Sequence, residues 1–144
     1  MFRLSVKGRY GVLAMLALTL REGSAPLSAK SIAQKEHLSV RFLEQAMNRL
    51  KEQGLVESVR GPHGGYRLTQ LPQEMTLARV LRAVEGTKTP EALPHLPSAK
   101  LKVLSEMVDG VENVLEEHLN SVNFETLAQK ARTLENREAL MFHI

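Results

Sequence analysis

Four polar side chains between residues 41 and 48 recur at the spacing of one helix face, and their hydrogen-bonding groups match the edges of nucleic-acid bases. Arg41 can donate two hydrogen bonds to guanine, and Glu44 can accept one from the cytosine amino group. Gln45 or Asn48 can pair bidentately with adenine. The same residue types are common on solvated helix faces. From this pattern alone, an ordinary solvent-exposed helix face is therefore an equally valid interpretation.

A glycine-rich segment follows at residues 60–67 and is typical of a β-hairpin tip. The run GPHGG combines a proline-fixed dihedral with three glycines that can adopt positive φ. Arginines flank the tip, and an arginine placed there can enter a narrow DNA minor groove, where negative potential is concentrated. An ordinary hairpin is the alternative. The predicted wing comprises Arg60, Gly61, Pro62, His63, Gly64, Gly65 and Tyr66.

Basic residues are concentrated in the first half of the chain. Residues 1–68 carry 11 Lys and Arg against 5 Asp and Glu, whereas residues 69–144 carry 8 against 11. A basic half joined to an acidic half favours a polyanion-binding head with a tail that does not touch the polyanion. The alternative is that these charges are simply solvated and that their uneven distribution has no function. The candidate phosphate contacts are Lys7, Arg9, Lys30, Arg49, Lys51 and Arg67.

Other chemistries find little support in the sequence. The chain has no cysteine, which removes disulfides, thiolate nucleophiles and Cys-ligated iron–sulfur clusters. Its five histidines lack the i, i+4 spacing of a helical metal site. No phosphate loop or nucleophile elbow is present. We therefore expect neither an enzyme nor a bound cofactor or metal.

The longest apolar run, residues 10–20, is interrupted by Gly11 and Thr19. It is shorter than the roughly 20 residues that a membrane-spanning helix needs. Arg21 stands where a signal peptide would have a small cleavage-site residue. We expect a buried helix and a cytoplasmic protein.

Helix-start and helix-stop signals define the elements that carry these residues. Gly54 should end the third helix, which presents Leu43, Ala46, Met47 and Leu50 to the core. Leu38 should anchor the preceding turn. The pattern predicts a mainly α fold with a small β-hairpin, a winged helix-turn-helix. The predicted helices run from Ser5 to Arg21, from Ser28, from Val40 to Gln53 and from Thr76 to Gly86, with Ser5, Ser28, Ser39 and Thr76 as N-caps.

The carboxyl-terminal part is predicted to be helical. A proline-rich connector (residues 87–98) separates it from residues 1–86. A long helix at residues 99–119 should follow, despite the cost of Gly110, and a last short helix at residues 124–134. Val103, Met107 and Val114 widen a heptad seam that is typical of a coiled coil, so residues 99–144 should form a helical dimerisation region. The seam residues are Leu101, Leu104, Val108, Val111 and Leu115.

Three segments resemble the Rrf2 family of bacterial winged-helix regulators: SVKGRYGVLAMLAL, SIAQKEHLSVRFLEQ and LVESVRGPHGGYRL. The match is close over residues 1–86. The resemblance implies a homodimer that binds double-stranded DNA at a partly palindromic operator, most simply as a repressor. It also implies that Glu44 and Gln45, with Ser39 and Arg41, meet the major groove, and that Arg60 meets the minor groove.

The chain differs from the members of this family that bind an iron–sulfur cluster. Those relatives place three cysteines between the short and the long helix, where this chain has prolines and a single His95. It therefore resembles the cluster-free branch, in which the signal arrives through a partner enzyme or a small molecule. Two alternatives stay open: a winged-helix protein-interaction adaptor that does not bind DNA, and a metal-dependent sensor that uses histidines and carboxylates.

Overall fold

The computed structural model describes residues 2–87 and 98–143. These residues form six α-helices and one antiparallel β-hairpin. Most of the predicted connector (residues 88–97), including His95, lies outside the described residues. A single 3₁₀ turn, Pro72–Glu74, precedes the fourth helix. The elements are α1 (Val6–Leu20), α2 (Ala29–Glu36), α3 (Val40–Glu52), β1 (Val56–Val59), β2 (Gly65–Leu68), α4 (Leu77–Glu85), α5 (Ala99–Ser121) and α6 (Phe124–Phe142).

Side-chain oxygens satisfy the amino ends of the first four helices, and all four predicted N-caps are confirmed. Each accepts a hydrogen bond from the backbone amide three residues later, which is worth about 1 kcal/mol per helix. The donor–acceptor distances are 3.0 Å for Ser5, 3.1 Å for Ser28, 3.4 Å for Ser39 and 3.3 Å for Thr76. Capping chemistry is local, which is why the sequence alone located these helices.

Helix α1 lies at the centre of the core and packs against α3, α4 and α6. Ala14 and Met15 are fully buried on it. The apolar stripe of α3 belongs to the same buried cluster, as does Val80 of α4. No helix of the described residues has the length and apolar character that crossing a bilayer requires.

The last helix is longer than the sequence predicts. We expected it to end near Leu134, but α6 continues to Phe142. Phe124 and Ala128 are buried at its start, whereas residues 132–143 are exposed. Because the last turns carry no buried stripe, no periodic apolar pattern in the sequence indicated that the helix continues.

The long helix α5 is continuous through Gly110 and ends two residues after the predicted end. The five predicted seam residues differ in their exposure to solvent. Leu101 and Leu115 are half-buried, whereas Leu104, Val108 and Val111 are exposed. The dimerisation role of all five residues stays a prediction.

Candidate nucleic-acid interface

The turn between α2 and α3 depends on one left-handed residue. His37 has φ 54° and ψ 43°, a conformation that non-glycine residues seldom adopt. The next amide, of Leu38, donates to the carbonyl of Ala33 at 2.8 Å. The half-buried Leu38 side chain packs against the core, as predicted. The turn therefore sets the direction in which α3 leaves the core.

Helix α3 has the two faces that the sequence predicts. Leu43, Ala46, Met47 and Leu50 are buried. The opposite face exposes the predicted base-reading residues, namely Arg41, Glu44, Gln45 and Asn48. A buried stripe of this kind fixes the helix rotation, so these four side chains are held toward solvent by packing.

Two aromatic residues that sequence reasoning missed hold the amino end of α3. The backbone amide of Ser39 donates to the phenol oxygen of Tyr10 on α1 at 3.0 Å. The Tyr10 ring meets Phe42 edge to face, with centroids 6.0 Å apart and planes at 80°. Ser39, predicted as a groove contact, also caps α3 through its hydroxyl, so its confirmed role is to position the helix. The only available signal was an aromatic residue on each of two helices distant in sequence.

The helix joins the hairpin through a tight carboxyl-terminal cap. Gly54 has φ 72°, as a glycine after a helix commonly does. Its amide donates to Lys51 at 2.9 Å, and the amide of Leu55 donates to Leu50 at 2.9 Å. The hydroxyl of Thr69 bonds the Gly54 carbonyl at 2.6 Å, which ties the far end of the hairpin to this junction. The wing is thus rigidly continuous with α3.

The hairpin pairs Val56 with Leu68 at its base and Val59 with Gly65 at its tip. Arg60 and the predicted tip residues from Gly61 to His63 are exposed. Positive φ occurs at Gly61 and Gly65, at 119° and 156°, but not at Gly64, so only two of the three glycines use the freedom that the sequence suggested.

The segment before α2 also pairs with strand β2 of the wing. The backbone of Leu27 exchanges two hydrogen bonds with Tyr66, at 3.0 and 2.7 Å. A β-carbon at Gly65 would collide with the Leu27 carbonyl, so this close approach requires glycine. The half-buried ring of Tyr66 packs against the core. Tyr66 therefore supports the wing from the core side, which differs from the tip position that we predicted for it.

The predicted phosphate contacts occupy several surroundings. Lys7 lines a cleft of about 630 Å³ between α1 and α3, together with Gln45, Asn48 and Arg49. This cleft therefore joins one predicted phosphate contact to the predicted base-reading face. The remaining candidates, Arg9, Lys30, Lys51 and Arg67, are all exposed.

Two of these cations have acidic neighbours. Arg67 forms an ion pair with Glu57, its direct cross-strand partner. Arg49 lies 3.5 Å from Glu52 one turn along α3. Both pairs are about half exposed or more, where an ion pair contributes at most about 1 kcal/mol. Arg41 and Arg60 form no ion pair within residues 2–87 and 98–143. Their charges are available to a ligand.

A family model described as an iron-dependent transcriptional regulator, Rrf2, matches residues 4–130. The chain belongs to the Rrf2 family. Among its relatives, the HTH-type transcriptional regulator CymR of Bacillus subtilis is 39% identical over 143 residues, 99% of each chain. The regulator IscR of Aliivibrio salmonicida is 42% identical over 83 residues, 58% of this chain and 49% of that protein.

Solved structures of this family have the same fold. The structure of CymR, described as the global cysteine regulator of B. subtilis, superposes with a TM-score of 0.73 over 90% of this chain and 98% of that one, at 39% identity. IscR of T. potens gives a TM-score of 0.74 at 34% identity, over 90% and 88%. This Rrf2-family chain is therefore a winged helix-turn-helix transcriptional regulator and not an enzyme.

The donor set of the chain does not fit a cysteine-ligated iron centre of the kind that the Rrf2 description suggests. The sequence has no cysteine. Within residues 2–87 and 98–143, no three histidine, aspartate or glutamate side chains are grouped closely enough to hold a metal ion.

Proposed function

We propose that the protein is a homodimeric repressor that binds a partly palindromic DNA operator and blocks transcription by occupying it. One observation carries the proposal: the exposed polar face of α3 is held rigidly and continues directly into a wing that presents Arg60. Major-groove and minor-groove contacts can then be made by a single rigid unit. Two such units one DNA turn apart, roughly 34–36 Å, would match the two halves of a palindrome.

The chemistry of each side chain assigns its proposed role. Arg41 reads guanine, Gln45 or Asn48 reads adenine, and Glu44 accepts from cytosine. Arg60 enters the minor groove beside the half-site. Lys7, in the cleft beside Gln45, contacts the phosphate backbone.

Binding should depend steeply on salt concentration. A dimer that neutralises 6–10 phosphates should lose on the order of 10³–10⁵-fold in affinity between 50 and 200 mM salt. A winged-helix adaptor would instead associate with a protein, with little salt dependence and no DNA shift. A metal-dependent sensor would lose DNA binding after treatment with a chelator, whereas we expect no change.

The decisive experiment is selection from random double-stranded DNA with the purified protein, its Gln45→Ala variant and a Gln129→Ala control. Gln129 is an exposed glutamine on α6, so its loss should leave the selected sequence unchanged. Gln45→Ala should relax the preference at one base position in each half-site. An unchanged profile for Gln45→Ala, or failure to select any sequence, would refute the proposed recognition.

We also propose that the regulated genes concern cysteine supply and that the signal comes from a partner enzyme or a small molecule. The support is the full-length likeness to CymR, whose described role is cysteine regulation. Genome-wide footprinting should place the protein beside genes of sulfur metabolism. Separating a cell extract into small molecules and macromolecules would show which fraction changes DNA binding.

A further inference from the structure

One large apolar side chain borders the exposed polar face of α3. Phe42 lies in the first turn of the helix and is 50% exposed. It precedes Gln45 by three residues, so the two side chains are neighbours on the helix surface. A single exposed apolar residue is common in proteins, and what it can do depends on its surroundings.

The Phe42 ring is held from the side of α1. The Tyr10 ring meets it edge to face, with centroids 6.0 Å apart. Tyr10 is itself fixed, because its phenol oxygen accepts a hydrogen bond from the Ser39 amide at 3.0 Å. Packing of this kind restricts the rotamers of a side chain and so gives it a defined position. Phe42 therefore presents an apolar surface to solvent at a fixed place beside the polar face.

The cleft between α1 and α3 sets this ring between two kinds of predicted DNA contact. Lys7, a predicted phosphate contact, lines the cleft on the α1 side. Gln45 and Asn48, which are predicted to read bases, line it on the α3 side, as Phe42 does. A duplex with a phosphate at Lys7 and a base edge at Gln45 would therefore bring the boundary between backbone and bases to Phe42.

Thymine carries an apolar group at that boundary. Its C5-methyl group projects into the major groove, on the part of the base edge nearest the backbone of its own strand. Cytosine lacks this methyl group, and an aromatic ring is one of the apolar groups that can contact it. Such a contact removes apolar surface of both partners from water, which is favourable.

The polar residues of α3 cannot detect this methyl group. Arg41, Glu44 and Gln45 recognise bases by hydrogen bonds, and the hydrogen-bonding groups of thymine are the same with or without the methyl group. A preference for the methyl group itself therefore requires an apolar side chain at the groove, and Phe42 is placed to supply one.

We propose that Phe42 reads a thymine in each half-site by packing its ring against the C5-methyl group. The proposal rests on the DNA binding of the proposed function and adds an apolar contact to its hydrogen bonds. The thymine should lie at or next to the base pair whose preference Gln45→Ala relaxes, because Phe42 and Gln45 line the same cleft. Tyr10 is the positioning residue, since it holds the ring.

Deoxyuridine tests the contact, because it differs from thymidine only by the loss of this methyl group. The thymines in one half-site of the selected operator are replaced one at a time, and each duplex is titrated with the parent protein by fluorescence anisotropy. At one thymine the affinity should fall about fourfold, the factor that corresponds to exposing one buried methyl group.

Phe42→Ala should bind the thymine and the deoxyuridine operators with equal affinity. The ratio of the two affinities is the decisive readout. If Phe42 only supported α3 through Tyr10, its loss would weaken binding to both operators alike and leave the ratio unchanged. Low salt raises both affinities and keeps a weakened variant measurable.

Two further variants complete the test. Phe42→Gln introduces a polar side chain of good helix propensity and should also lose the methyl preference, so the result does not depend on one variant folding well. Phe142→Ala removes the same kind of side chain from the end of α6, where Phe142 is 88% exposed, and should keep the ratio of the parent. Circular dichroism checks that each variant keeps its helix content.

The outcomes separate this proposal from the proposed function. A parent protein that binds every deoxyuridine operator as tightly as the thymine operator would overturn the methyl contact, and so would Phe42 variants with the parent's ratio. Both results leave sequence-specific DNA binding intact. If the parent protein selects no DNA sequence, the proposed function fails, and the methyl contact fails with it.

Discussion

The phenol oxygen of Tyr10 accepts a hydrogen bond from the backbone amide of Ser39 at 3.0 Å. This bond joins the central core helix to the N-cap of α3, because Ser39 caps that helix. The Tyr10 ring also packs against Phe42, one turn into α3. The position of the exposed polar face of α3 is thus set by α1 as well as by the turn before it.

Replacing Tyr10 by Phe should therefore weaken DNA binding as well as stability. The ring contact with Phe42 is kept, and losing an exposed hydrogen bond should cost roughly 0.5–1 kcal/mol of unfolding free energy. Operator affinity should fall several-fold because the amino end of α3 is less well fixed. Urea denaturation and fluorescence anisotropy measure the two effects. Tyr66→Phe is the control, and an equal loss of affinity there would contradict the special role of Tyr10.

His37→Gly should stabilise the protein. A non-glycine residue in the left-handed region costs about 1–2 kcal/mol, and the extra chain entropy of an unfolded glycine returns about 0.5–1 kcal/mol of that. We expect a net gain of about 0.5–1 kcal/mol in thermal or urea unfolding. Gly54→Ala, at φ 72°, should show the opposite sign. A destabilised His37→Gly protein would mean that the imidazole makes a stabilising contact.

Most of the fold could be predicted from the sequence because its determinants are local. The N-caps at Ser28 and Thr76, the glycine after α3 and the buried stripe of α3 all depend on residues within one or two turns. The predicted polar face of α3 followed from the same periodicity. Its contacts with DNA stay a prediction.

The features that could not be predicted from the sequence depend on contacts between residues that are distant along the chain. Tyr10 meets Ser39 across 29 positions, and Leu27 pairs with Tyr66 across the wing. A single sequence shows neither pairing, because aromatic and leucine residues at those positions fit many folds. The heptad seam was ambiguous for a related reason, because two apolar stripes lie side by side on α5. Only the structure shows that two seam residues, Leu101 and Leu115, are half-buried, whereas the other three seam residues are exposed.

Glu57→Gln should strengthen DNA binding by releasing Arg67. The ion pair joins directly opposed residues of β1 and β2 and is about half exposed, so stability should change by less than about 1 kcal/mol. A released guanidinium can reach a phosphate, which should steepen the plot of log affinity against log salt by about one unit. Glu138→Gln on α6 removes the same charge far along the chain. Equal slopes for the two variants would argue that Arg67 does not contact DNA.

Arg60→Ala should reduce affinity in a way that depends on the sequence flanking each half-site. Arg60 is exposed at the end of β1 and forms no ion pair within the described residues, so its charge is free to enter a groove. A·T-rich DNA has a narrow minor groove with a stronger negative potential, which attracts an arginine more strongly than G·C-rich DNA does. On A·T-rich flanks we expect a loss of about tenfold, the lower end of what one specific base contact contributes.

On G·C-rich flanks the loss should be smaller, since only a general phosphate attraction is removed. Arg137→Ala, an exposed arginine on α6, controls for the change in net charge and should have little effect on either DNA. Anisotropy titrations of one operator with both kinds of flank measure the difference. If Arg60→Ala lost the same affinity on both flanks, the arginine would act as a phosphate contact, because only insertion into the minor groove makes the loss depend on groove width.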